Sequence, residues 1–125
     1  MRTANLTKPE SADLRIDIER RFEIQRTMAG NTKPVLSLEF DVSEVVVWQI
    51  ETGIYSSDKP YKVAPDVEDA IRRRRAIWHL AREMMQEYQL EALAEKYSIS
   101  VNSVCRHAAL IRNEWIRAQI RRRAA

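Results

Sequence analysis

The sequence predicts an all-α protein made of two related three-helix units. Three observations lead there. Only 2 glycines and 4 prolines occur in 125 residues, too few for the turns that sheets require. Apolar residues recur at spacings of three and four through most of the chain, the period of helices buried on one face. The chain also repeats itself at an offset of 57 residues: Leu36-Ser37-Leu38-Glu39-Phe40-Asp41-Val42-Ser43 laid over Leu93-Ala94-Glu95-Lys96-Tyr97-Ser98-Ile99-Ser100 matches at every skeleton position in type, while Val47 falls on Val104 and Met28 on Met85.

In chain order, residues 1–10 are polar, contain Pro9 and read as a flexible arm. The first unit spans 11–53. A helix opens near Ser11, where Ser-Ala-Asp-Leu offers a cap and an early acid that suits the helix dipole. Leu14, Ile18, Phe22, Gln25 and Ala29 form its apolar stripe, widened by Ile24 and Met28, and Gly30-Asn31 reads as a left-handed C-cap. From Thr32 to Gly53 two readings compete. Leu36, Leu38, Phe40 and Val42 alternate with polar residues and Val45-Val46-Val47 is β-branched, which favours a strand. The 57-residue repeat favours two short helices around Asp41-Val42-Ser43, and that reading is preferred.

Residues 54–65 are a linker with turn chemistry, in which a short β-hairpin pairing Ile54-Tyr55 with Tyr61 to Val63 is the minority alternative. The second unit spans 66–125. Pro65-Asp66 opens its first helix, with acids at Asp66, Glu68 and Asp69, and Ile71, Trp78, Ala81, Met85 and Tyr88 give the buried face. A short helix covers Gln89 to Tyr97. The last helix starts at Val101 and meets no stop signal; Val101, Val104, Ala108, Ile111, Trp115 and Ala118 make a heptad-like seam. Its distal part needs a covering surface, either the N-terminal unit or a second copy of the chain.

Leu93 to His107 organises the rest. Leu93, Ala94, Tyr97, Ile99 and Val104 form an apolar skeleton across a tight turn, with Ala94 small where two crossing helices touch and Ser100 placed to cap the second helix. The stretch resembles the helix-turn-helix superfamily, of the homeodomain-like or resolvase-like three-helix kind, and the repeat makes the pair tandem. It departs from the family's frequent turn glycine, carrying Ser98 instead. The resemblance implies a double-stranded DNA-binding protein reading the major groove, a small transcription regulator of phage, plasmid or bacterial type. Alternatives are a DNA-recognition accessory subunit of a transposase or small terminase, and a helical protein-binding adaptor.

Charge distribution agrees with that implication. Residues 1–65 carry 9 Lys+Arg against 10 Asp+Glu, and residues 66–125 carry 12 against 8, so the polyanion-facing surface belongs in the second half. Outward positions in the first two turns of a recognition helix reach base edges; here they are Ser100, Asn102, Ser103 and Arg106. Asn pairs bidentately with adenine and Arg with guanine. Expected phosphate contacts are Arg72, Arg73, Arg74, Arg75, Lys96, Arg112, Arg117, Arg121, Arg122 and Arg123.

In the first unit the equivalent positions, Ser43, Glu44, Val45, Val46, Trp48 and Gln49, are largely acidic or apolar and suit a dimer or domain interface better than a reader, which would have only Ser43, Gln49 and Lys33 to use. Ile111, Trp115 and Ala118 are the expected homodimer surface.

Several function classes are disfavoured. His79 and His107 lack partners at metal-ligand spacing, and no phosphate loop or nucleophile motif occurs, so neither metal, cofactor nor enzymatic activity is expected. Cys105, the single cysteine, suits a reducing compartment and a filler role. The longest apolar run, Val45 to Trp48, is far short of a membrane span, and Met1 to Leu14 does not resemble a secretory leader. A cytoplasmic, nucleoid-associated protein is the expectation.

Overall fold

A computed structural model describes residues 6–56, 58 and 63–124. Among them every regular element is helical: α1 (Lys8–Ala29), α2 (Lys33–Phe40), α3 (Glu44–Thr52), α4 (Pro65–Met85), a 3₁₀ turn (Gln86–Tyr88), α5 (Leu90–Tyr97) and α6 (Val101–Ala124). The β-branched run that favours a strand lies in α3. The hairpin alternative falls partly outside the described residues; within them Ile54 and Tyr55 form no strand, and the Tyr55 hydroxyl accepts from the Val63 amide at 2.7 Å.

Helices α4, α5 and α6 begin 57 residues after α1, α2 and α3, and α5 ends 57 residues after α2. Local chemistry repeats with them. Asp41 (φ 52°) and Ser98 (φ 53°) end α2 and α5 in the left-handed region, a conformation disfavoured for side chains with a Cβ but more accessible to Asp than to most. Amides of Val42 and Ile99 then bond back to the carbonyls of Ser37 and Ala94 at 3.1 and 3.0 Å. Ser43 and Ser100 cap the next helices, accepting from the amides of Val46 and Ser103.

The repeat breaks where α3 stops. Gly53 (φ 78°) caps it in the left-handed region that glycine adopts without strain, whereas α6 runs on to Ala124.

One boundary and one helix cap differ from the sequence reading. Helix α1 begins at Lys8, inside the expected 1–10 arm, because Thr7 and Glu10 form a reciprocal capping box, the Thr7 amide donating to the Glu10 carboxylate at 3.0 Å and the Glu10 amide to the Thr7 hydroxyl at 3.3 Å. Helix α1 ends where expected, but Gly30 is not left-handed. The Asn31 side chain closes the helix instead, donating to the Thr27 carbonyl at 2.7 Å.

The helices sort into two compact units that interleave along the chain. One holds α1 up to Glu23 and the chain from Met85 onward; the other is Ile24–Met84. In the first, Leu14 and Ile18 of α1 pack with Leu93, Ala94, Tyr97, Ile99, Val104, Ala108 and Ile111. In the second, Ile71 of α4 packs with Leu36, Val47 and Ile50. Each helix pair therefore takes its third helix from the other repeat, where chain order would give α1 to α2–α3 and α4 to α5–α6.

Charge explains this exchange. Asp17 on α1 accepts from Lys96 (2.8 Å) and from the buried Tyr97 hydroxyl (2.5 Å) of α5. The repeat-equivalent pair has its signs inverted: Arg74 on α4 meets Glu39 of α2 at 2.6 Å. One position later in each third helix, Ile18 is buried in the core that includes Ala108, while Arg75 is buried against Glu51 of α3.

Sequential packing would bring Asp17 to Glu39, Arg74 to Lys96, Ile18 to Glu51 and Arg75 to Ala108. Each like-charge contact near 4 Å would cost roughly 1–4 kcal/mol, and a buried arginine facing alanine would lose the carboxylate that neutralises it. The carbonyls at repeat-equivalent positions 31 and 88 are likewise each met by an arginine of the borrowed helix, Arg75 and Arg21, at 2.8 Å.

Asp17→Ala is expected to cost about 1–3 kcal/mol in urea denaturation, because it strands the buried Tyr97 hydroxyl as well as removing the ion pair; Lys96→Ala, at an exposed ammonium, costs under about 1 kcal/mol. Asp17→Lys destabilises more, and adding Lys96→Asp recovers part of that loss. Strict additivity of the two reversals would refute direct coupling.

Candidate nucleic-acid interface

The start of α6 is shaped by its cap. The Ser100 hydroxyl accepts from the Ser103 amide at 3.1 Å and lies 3.0 Å from the Ser103 hydroxyl. Both serines are half-buried and engaged with each other, which leaves Asn102 and Arg106, both exposed, as the outward polar groups of the first two turns. Cys105 is exposed on the same helix. Helix α6 carries six arginines, Arg106, Arg112, Arg117, Arg121, Arg122 and Arg123, against one acid, Glu114. Arg112 lies over the Phe22 ring at 5.9 Å, and Arg121 to Arg123 are exposed.

Glu114 is tied to Arg15 of α1 at 2.7 Å; the hydrogen bond and charge of Arg15 hold this exposed carboxyl below its ordinary range. The base of α6 is set by α5, where Lys96 is held protonated above its usual range by the Asp17 hydrogen bond. Burial first, and then the Asp17 carboxylate, push the Tyr97 hydroxyl far above the ordinary phenol value. That hydroxyl donates to Asp17 at 2.5 Å.

The remaining expected phosphate contacts are differently placed. Arg72 to Arg75 belong to the unit of α2 and α3, not to the one that holds Asn102 and Arg106. Arg72 pairs with Glu68 and Asp69 at 2.8 and 3.1 Å; Arg73 is exposed. Arg74 bonds the Gly30 carbonyl, the Asn31 side chain and Glu39. Arg75 is withdrawn from any surface role: it is 4% exposed, donates to the Asn31 carbonyl and Glu51, and stacks on Trp78 with its guanidinium carbon 4.6 Å from the ring centroid. Lys96 is exposed but already paired with Asp17.

At the start of α3, Glu44, Val45 (61% exposed) and Trp48 (43% exposed) face outward, Ser43 caps, and Val46 packs on the core of its unit. Gln49 is half-buried, and its carbonyl accepts the amides of Ile54 and Tyr55 at 2.9 and 3.0 Å. Helix α3 itself carries no basic residue; the nearby cations come from α2 and α4, Lys33 and Arg82.

The expected oligomer surface is used internally in part. Ile111 is 4% exposed within the core of its unit, and Trp115 packs edge-on to Phe22 of α1 with ring centroids 5.4 Å apart. Ala118 is half-buried. Trp115 of the distal α6 seam is thus covered by α1, while Ile116 and Ile120 stay exposed.

Sequence reasoning missed the Arg75–Glu51–His79 cluster. Glu51 accepts from Arg75 at 3.1 Å and from the His79 ring. Burial works to raise the Glu51 carboxyl, but the hydrogen bonds and charges of Arg75 and His79 outweigh it and hold the carboxyl below its ordinary value. The signal was present as an arginine, Arg75, at the repeat position of the core residue Ile18. No helix among the described residues is long and apolar enough to cross a membrane. No known protein family, curated protein or solved structure matches the chain.

Arg75→Ala, which leaves Glu51 buried without its arginine, is expected to lower stability at neutral pH by about 3–5 kcal/mol in urea denaturation. Because the folded-state Glu51 value is depressed, its contribution is complete above the ordinary carboxylate range and is lost as pH falls through the lower folded-state value. Glu51→Gln should therefore flatten the acid limb of the stability profile; an acid limb identical to wild type would rule out this linkage.

Proposed function

We propose that the chain is a sequence-specific double-stranded DNA-binding protein built on two tandem helix-turn-helix repeats, and that α6 is its reading helix. The observation that carries this reading is the first two turns of α6. They follow a tight left-handed turn, begin at a serine cap, and expose Asn102 and Arg106 on a helix with six arginines and one acid.

Asn102 reads an adenine edge and Arg106 a guanine edge in the major groove. Arg112, Arg117 and Arg121 to Arg123 contact phosphates, position the helix and provide the salt-sensitive part of the affinity. Ser100 and Ser103 act mainly by fixing the helix start. The charge distribution supports the same assignment. Counted over the full sequence, residues 1–23 and 85–125 carry 12 Lys+Arg against 9 Asp+Glu, and residues 24–84 carry 9 against 9.

Helix α3, with Glu44 and Val45 at the corresponding start, is not a duplex reader, since an acid there would repel phosphate. Arg75 plays no part in contacting DNA. The proposed role is that of a small regulator of phage, plasmid or bacterial type. A homodimer reading half-sites about one turn of DNA apart, roughly 34 Å, belongs to the same proposal. With Ile111 and Trp115 occupied internally, Leu110, Ile116 and Ile120 are the exposed apolar side chains of α6 for a second copy.

Selection of bound sites from random duplex DNA is expected to return a defined motif. Against it, Asn102→Ala and Arg106→Ala each lose about 1–3 kcal/mol of discrimination at one base position while circular dichroism stays unchanged. Failure to enrich any motif would remove the sequence-specific reading. Replacing Arg121, Arg122 and Arg123 by Gln should weaken binding to all sequences alike and reduce the slope of log K against log salt by about 0.9 for each phosphate no longer neutralised. An unaltered slope would place the phosphate-binding residues elsewhere.

A further inference from the structure

We propose that the unit Ile24–Met84 carries a second ligand site, for a flat aromatic anion of the nucleotide class, in the cleft between the start of α2, the outer face of α3 and α4. The cleft has a volume of about 650 Å³. Two tryptophans line it, Trp48 from α3 and Trp78 from α4, together with the cations Lys33 and Arg82 and the His79 ring. Trp48 is 43% exposed. Trp78 is already set as a stacking surface, with the Arg75 and Arg82 guanidinium carbons 4.6 and 5.5 Å from its ring centroid and the His79 ring edge-on at 5.0 Å. At the floor lies Arg75, whose Nε is a buried side-chain donor with no partner among the described residues.

The repeat provides an internal control. The positions equivalent to Trp48, Trp78, Arg75, His79 and Glu51 are Cys105, Arg21, Ile18, Phe22 and Ala108. There, Ile18, Ala108 and Phe22 are packed into an apolar core, with no tryptophan at either aromatic position. The same three-helix arrangement therefore forms without a polar cluster or tryptophans at these positions. Arg75 and Glu51 have a structural reason, the helix exchange, but nothing in the exchange calls for Trp48, Lys33 or Arg82. Exposed indole beside cations is the pairing that binds unstacked bases, since every base offers a π-face and its phosphate a charge.

Charge narrows the ligand. Glu51 is neutralised by Arg75, so Lys33 and Arg82 face the single further acid of the lining, Glu44. A small anion balances that set. A base inside a duplex offers no free face, so the ligand is either a free nucleotide or an unpaired base in a strand. This site lies in the other unit from Asn102 and Arg106 and does not rest on the duplex reading.

The test uses the full chain carrying Trp115→Phe, so that emission reports only Trp48 and Trp78, titrated with dAMP, with a short oligo(dT) and with pyrophosphate. Saturable quenching by dAMP assigns the site to free nucleotides; quenching by oligo(dT) alone assigns it to unpaired bases in a strand. In either case Trp48→Ala and Arg82→Ala, followed by calorimetry, are expected to weaken binding about tenfold or more with helicity unchanged. If Trp48→Ala does not fold, Arg82→Ala and Lys33→Ala decide. Absence of saturable quenching, pyrophosphate binding as tightly as the nucleotide, or affinity unaltered in the variants would overturn the proposal.

Discussion

Asp17 and Arg74 occupy the same position of the 57-residue repeat with opposite charge, and so do Glu39 and Lys96. That inversion is the constraint on which the architecture rests. Two helix pairs related by the repeat, each needing a third helix, would otherwise accept either α1 or α4, since Leu14 and Ile71 are equivalent apolar anchors at 0% exposure. Hydrophobic burial is non-directional and does not choose between them. The choice is made by the rim charges and, more strongly, by position 18 and its repeat 75. An isoleucine there accepts alanine as a neighbour, whereas a buried arginine requires the Glu51 carboxylate. Here a buried ion pair selects a topology more than it stabilises one, the role in which such pairs are best supported.

Once the third helices are assigned, the two repeats are free to diverge in what they present. In the α5–α6 unit, Asp17 holds both Lys96 and Tyr97, so the helix before the turn is fixed by a bond network at its last turn. The Ser98 turn and Ser100 cap then set where α6 begins, and Phe22 of α1 steadies it two turns beyond Ala108 through Trp115. Rigid support behind the helix is what the proposed reading by Asn102 and Arg106 requires. In the α2–α3 unit, Gly53 stops the helix, the outward residues are Glu44, Val45 and Trp48, and polar groups move inward to Arg75 and Glu51.

Much of the local structure was legible from residue pattern. Periodicity and the repeat located the helices within a few residues, and the Ser43 and Ser100 caps follow from position alone. The Thr7-Lys8-Pro9-Glu10 box was equally legible but was masked by the polar look of residues 1–10. Which helix packs on which was not carried by periodicity, because an apolar stripe is satisfied by any complementary stripe. Laying the repeat on itself for charge as well as for apolar type would have exposed the exchange. The same omission put Arg75 among the phosphate contacts, since a run of four arginines reads as one surface until the helical period places its last member on the buried face beside Ile71.

The exchange also bears on why Ile111 and Trp115 could be read as an oligomer seam. A heptad spacing states that a helix face must be covered, not by what. With α1 assigned in sequence to α2–α3, α6 has no cover and a second chain is the natural answer; with α1 exchanged, Leu14, Ile18 and Phe22 provide it. The consequence reaches the proposed interface. Helix α1 brings Glu10, Asp13, Asp17, Glu19 and Glu23 into the same unit as α6 but balances them with its own Lys8, Arg15, Arg20 and Arg21, so the positive excess of this small body is concentrated on α6, with six arginines against one acid. Such polarity orients a protein toward a polyanion without requiring a large net charge, which is how a chain of only +3 can present a strongly basic helix.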